Sequence, residues 1–101
     1  MTAFVCLIEL ELHFNDLHDL KGKRKQLHSL KAGIRQRFGA SVAETEAHDK
    51  WQRAVLLCAL VGDGESEVER RGRELAGWVE ARVGEGCVAR IDIRSLNDIR
   101  G

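Results

Sequence analysis

A chain of 101 residues, 44% apolar and 32% charged, suits one soluble globular domain and excludes both a disordered chain and a pair of independent cores. Sixteen Lys and Arg offset sixteen Asp and Glu, so the formal charge is zero, yet seven of the basic residues fall between positions 20 and 38 with no acid among them. Nine basic and sixteen acidic residues remain elsewhere, which makes the protein a +7 segment joined to a −7 remainder and points to a polyanionic partner.

Residues 1–12 lack a basic leader and carry Glu9 and Glu11 within the apolar run, which fits neither a signal peptide nor a spanning helix. A cytoplasmic protein without a membrane role is expected. Cys6, Cys58 and Cys87 are odd in number, far apart and flanked by aliphatic residues, so they read as small core residues rather than a disulfide scaffold or a metal site. Proline is absent, and no linker, repeat or low-complexity run divides the chain.

Residues 3–14 alternate as a strand. Phe4, Cys6, Ile8, Leu10 and Leu12 share one fully apolar face, and Val5, Leu7, Glu9, Glu11 and His13 share the other. Asp19 is placed to cap a helix over 20–38, where Leu20, Leu27, Leu30, Ile34 and Phe38 lie in one arc and Gly39 supplies the stop. Residues 40–46 suit an edge strand, 48–50 a turn, and 51–61 a central strand apolar at both parities. The Gly62-Asp63-Gly64 break leads to a second helix over 65–83 with Val68, Leu75 and Val79 inward, and residues 87–96 alternate as a fourth strand. The order β-α-β-β-α-β predicts an α+β, ferredoxin-like domain over 1–101: a four-stranded antiparallel sheet, the first and third strands central, and two helices on one face.

Lys21, Arg24, Lys25, Lys31 and Arg35, with His28 among them, occupy one arc beside the apolar stripe, a row suited to successive phosphates. These five are the candidate nucleic-acid-binding residues. Lys23 falls inside the apolar arc and is expected to snorkel or to pair with a carboxylate. The open sheet face offers Val5 and Leu7 where single-strand RNA readers of this topology place aromatics, so RNA contact is expected through the helix. Val5, Leu7, Trp51, Arg53, Val55 and Leu57 together make that face apolar enough to predict a second copy of the chain upon it.

Two weaker constellations remain. Glu9, Glu11 and His13 share a strand face at metal-ligand spacing but have no second ligand cluster, with His18 and His48 on turns. Glu44, Asp49 and Arg53 are expected to group as ion pairs near the second turn. No phosphate loop, nucleophile elbow or H-E-x-x-H pattern occurs, so no catalytic residue, cofactor, metal or small-molecule substrate is assigned.

Three runs carry a family resemblance over nearly the whole chain: Leu20-Lys21-Gly22-Lys23-Arg24, then Arg37-Phe38-Gly39-Ala40-Ser41-Val42-Ala43-Glu44, then Asp49-Lys50-Trp51-Gln52-Arg53-Ala54. They resemble the signature segments of the YlxP-like bacterial proteins, with mild departures at Gly22 and in the tail 97–101. The resemblance implies a ferredoxin-like fold and a bacterial cytoplasmic protein of unknown function whose genes neighbour those for translation initiation and ribosome maturation. A non-enzymatic accessory protein that binds ribosomal or other structured RNA is the expectation. The alternative is a homodimeric interaction module whose basic helix docks an acidic protein.

Overall fold

A computed structural model describes residues 3–101. Strand β1 (Phe4–His13) leads to helix α1 (Leu20–Phe38), the hairpin β2 (Ser41–Glu46) and β3 (Arg53–Gly62), helix α2 (Glu65–Val83), a single 3-10 turn (Gly84–Gly86), strand β4 (Cys87–Ser95) and a short helix α3 (Leu96–Arg100). The sheet order is β2-β3-β1-β4, antiparallel throughout, with the two most apolar strands in the middle. Element order and sheet order are compatible with a ferredoxin-like fold. One helix exceeds the two expected: α3 forms because Ser95 and Asp98 make a reciprocal capping box, each side chain accepting from the other's backbone N–H.

The alternation of β1 sorts its side chains as its sequence implies. Cys6, Ile8, Leu10 and Leu12 are buried under the helices, and their register partners on β3, Leu60, Cys58, Leu56 and Ala54, are buried beside them. From α1 come Leu27, Leu30 and Ile34, and from α2 Val68, Leu75, Ala76 and Val79, to close one core. On the edge strand β4, Cys87, Ala89, Ile91 and Ile93 face the same core but stay only partly buried.

Both ends of α1 are fixed by their caps. The Gly22 N–H donates to Asp19 Oδ1 at 2.7 Å, and Gly39, at φ 64°, donates its N–H to the Arg35 carbonyl. A close approach sets how α1 meets α2: a Cβ on Gly33 would run into the Trp78 ring, so glycine lets the indole lie against the helix backbone. Phe38 meets that indole edge-on at 6.1 Å, and the Arg82 guanidinium lies 3.8 Å from its centroid.

Candidate nucleic-acid interface

Lys21, Arg24, Lys25 and Arg35 are exposed along one side of α1, and Lys31 is half-buried between them. From Lys21 to Arg35 the row runs about 21 Å at 1.5 Å of rise per residue. Among the described residues, Lys21, Arg24, Lys25 and Lys31 have no carboxylate partner. Arg35 donates Nη2–H to the Val42 carbonyl at 3.3 Å, which ties the C-terminal end of the row to strand β2.

Helix α2 handles its charges in the opposite way. Arg70 pairs with Glu74 and Arg73 with Glu69, both one turn apart, while Arg71 donates to the Val61 and Phe38 carbonyls and Arg82 lies over Trp78. The two helices have the same length and lie on the same face, yet only α1 keeps a run of unpaired cations. Its field is therefore uncompensated locally, and an incoming polyanion need not break an internal ion pair to engage it.

Lys23 departs from the row as its position on the helical wheel requires. Only 2% exposed, it lies with Nζ 3.0 Å from Glu44 Oε2, and it donates a hydrogen bond to the Ala47 carbonyl. The approach to Oε2 lies off the hydrogen-bonding direction, so that contact is one of charge, while the directed bond goes to Ala47. Ala47 itself has φ 62°, the left-handed region that non-glycine residues seldom adopt. One buried ammonium thus joins α1, the end of β2 and the β2–β3 turn, which are the three regions containing the runs singled out in the sequence.

The expected Glu44–Asp49–Arg53 group does not form. Glu44 turns to the helix side to meet Lys23, whereas Arg53 lies on the open side and pairs with Glu11 across the β1–β3 ladder at 3.0 Å. Glu9 likewise faces Arg90 at 3.8 Å, so both glutamates of the strand face with metal-ligand spacing are engaged by arginines. Among the described residues no group of three or more His, Cys, Asp or Glu is arranged to hold a metal ion.

Residues expected on the open sheet face separate into three groups. Val5 and Leu7 are half-buried, and Leu57 is 37% exposed beside Ala59 and the unanticipated Val61, which is 74% exposed. Val55, expected as interface, is only 2% exposed, because the bulge between Glu44 and Glu46 brings the end of β2 across it, where the Thr45 hydroxyl reaches the Val55 carbonyl. Trp51, expected within the third strand, precedes it in a bend and is 47% exposed. The Phe14 N–H still donates to the Gln52 carbonyl, one step beyond the His13–Arg53 pair of the β1–β3 register, and the Gln52 side-chain amide donates to the Leu17 carbonyl, so the chain departs from the sheet at Trp51. Alternation alone exposes Val61 as the open-face partner of Val5, a signal that is legible in the sequence.

At the β2–β3 end of the sheet, His13, Asp49, Lys50, Trp51, Gln52 and Arg53 line an open hollow of ≈ 520 Å³. The cysteines offer no comparable chemistry: burial pushes the Cys58 thiol up to about 12, and burial with the nearby Glu80 charge pushes Cys87 to about 11. Burial, reinforced by Glu69, raises Cys6 as well. All three stay protonated and weakly nucleophilic near neutrality. No helix among the described residues is long and apolar enough to cross a membrane.

No curated protein sequence matches the chain. Among solved structures it is similar to the de novo designed protein Foldit4, with TM-score 0.55 and 8% identity over 91% of this chain and 96% of that one. It is also similar to a mutant of SnoaB, a cofactor-independent oxygenase from Streptomyces nogalater, with TM-score 0.51 and 11% identity over 90% of each chain. At such identities the likeness concerns the fold alone. Residues 5–93 match the family described as "Protein of unknown function (DUF503)", and the chain belongs to that family.

Proposed function

We propose that this protein is a non-enzymatic, cytoplasmic, YlxP-like accessory protein with a ferredoxin-like fold that binds ribosomal or other structured RNA through the outer face of α1. The observation that carries the proposal is the run Lys21, Arg24, Lys25 and Lys31, which have no carboxylate partner among the described residues, while on α2 Arg70 and Arg73 are paired within the helix. A row fixed on a capped helix and continued by Arg35 presents cations to phosphates with little ordering left to do on binding. The open sheet face supports the helix over the sheet as the contact: it carries Val5, Leu7, Glu9 and Glu11 on β1, and no aromatic residue lies on that strand's open side.

Reversing charge at three positions, Lys21→Glu, Lys25→Glu and Lys31→Glu, is expected to abolish binding to a structured RNA. Reversing Arg70 and Arg73 on α2 is expected to leave it within about twofold. Equal losses from both triple and double variants would show that only net charge matters and would remove α1 as the site.

A second reading has its own observation. Val5, Leu7, Leu57, Ala59 and Val61 form a contiguous apolar half of the open face, with the Glu9–Arg90 and Glu11–Arg53 pairs on the other half. A second copy of the chain covering that half would give a homodimer, leaving α1 free to dock an acidic protein. Sedimentation equilibrium that returns a monomer at every accessible concentration would reject it.

A further inference from the structure

The β2–β3 connection is held unusually firmly for a loop that keeps an indole in water. Lys50 donates its N–H to the Ala47 carbonyl at 3.1 Å, Lys23 donates to the same carbonyl, and Gln52 is fixed to Phe14 and Leu17 through its carbonyl and its amide. His48 Nε2 reaches the Glu44 carbonyl at 3.1 Å. Between these anchors Trp51 stands 47% exposed and outside the core cluster, whereas Trp78 is packed between α1 and α2. A rigid loop that spends its hydrogen bonds on presenting a flat aromatic surface is organised for a ligand rather than for packing.

The chemistry around the ring narrows that ligand. Lys50 is exposed and has no ion-pair partner among the described residues, and His13 offers an exposed imidazole, so anionic oxygens have two partners in the hollow. Asp49 and the Gln52 amide supply an acceptor and a mixed donor–acceptor for the edge of a planar heterocycle. Arg53 remains tied to Glu11 and forms one wall. A hollow of ≈ 520 Å³ falls within the ordinary size range of small-ligand sites. The hollow opens on the sheet side with His13 and Arg53, and the loop that carries Trp51 is bonded to the N-terminal part of α1 through Lys23 and to the segment just before it through Leu17.

We infer that this hollow binds one unpaired nucleotide, its base stacked on Trp51 and its phosphate on Lys50 and His13. The inference rests on α1 as the RNA-binding face and adds to it: α1 holds the phosphates of a folded RNA, and Trp51 selects RNAs that present an unstacked base beside it.

The test compares two RNAs with equal phosphate counts, a blunt duplex and a hairpin with an unpaired loop, bound to wild type and to Trp51→Ala and Trp51→Phe. Trp51→Ala is expected to weaken hairpin binding roughly 5- to 150-fold, the range for loss of one stacking platform, and to leave duplex binding unchanged. Trp51→Phe is expected to retain most of the hairpin affinity, since a smaller aromatic ring still stacks. Equal effects of Trp51→Ala on both RNAs, or no effect on either, would overturn the inference, as would a Phe variant as weak as the Ala variant.

A second arm separates the source of the nucleotide and the fate of the α1 proposal. Titrating GMP or AMP into wild type is expected to quench an indole signal that Trp51→Phe lacks. That quenching should survive the α1 charge reversals even where RNA binding is lost. Mononucleotide binding as tight as hairpin binding would identify a free nucleotide as the ligand of the same site, and absence of quenching at millimolar nucleotide together with an unaffected Trp51→Ala variant would remove the site altogether.

Discussion

Removing Glu44 isolates a buried charge, and the unequal exposure of the Lys23–Glu44 pair decides how much stability is lost. Lys23 has 2% of its side chain exposed and Glu44 has 18%, so water can relieve an unpaired carboxylate but not an unpaired ammonium. Breaking a fully buried pair costs about 3–5 kcal/mol. The Ala47 carbonyl still accepts from Lys23, so Glu44→Ala should cost about 2–4 kcal/mol. For a domain of this size that is a fall in Tm of roughly 10–25 °C. Lys23→Met keeps the apolar stem and leaves the carboxylate at the rim, so about 1–2 kcal/mol is expected. Urea unfolding of both single variants and of the double variant gives the two costs and their coupling. A Glu44→Ala cost below about 1 kcal/mol, or a Lys23→Met variant less stable than Glu44→Ala, would refute the account of a buried ammonium that needs its partner.

Three further outcomes are expected. Gly33→Ala should destabilise by about 1–3 kcal/mol because its methyl meets the Trp78 ring, and Trp78→Leu in the same chain should cost less than the sum of the single changes. Ala47→Gly should stabilise by about 0.5–1 kcal/mol, the relief of a left-handed alanine exceeding the entropy glycine adds to the unfolded chain; loss of stability would show that Ala47 is not strained. The raised thiol of Cys58 favours the neutral form in the folded protein, so its contribution is complete below the unfolded pKa and declines as pH rises through about 9 toward 12. Urea midpoints should fall from pH 8 to pH 10, Cys58→Ala should make that fall shallower and Cys87→Ala should remove a further part of it; with no tyrosine in the chain, no phenol titration overlaps it.

Much of this architecture is readable in residue patterns, because the decisive information is local. The alternation in β1, the Asp19 and Gly39 caps of α1 and the apolar stripe of α2 each depend on neighbours within a few residues, and the strand order follows from the burial demands of β1 and β3. The wheel position of Lys23 even announces that a partner is needed. It cannot name Glu44, since the choice depends on which side of the sheet the end of β2 faces. The same limit explains Arg53, which pairs across the ladder with Glu11 rather than with nearby Asp49. Apolar pattern extends the third strand back to Trp51, whereas the chain leaves the sheet there and only Gln52 keeps long-range bonds, accepting from the Phe14 N–H and donating its amide to the Leu17 carbonyl. Val55 reads as open surface because a bulge in a neighbouring strand leaves no mark in its own sequence.

The central claim is that the unpaired row on α1 meets phosphates, and the salt dependence of RNA affinity reads that contact directly. With four to five of Lys21, Arg24, Lys25, Lys31 and Arg35 on phosphates, log Kd against log salt should have a slope of magnitude about 3–5. Lys25→Gln with Lys31→Gln should lower that magnitude by about 1.5–2. An RNA affinity insensitive to salt, or a slope left unchanged by the double substitution, would contradict α1 as the binding face.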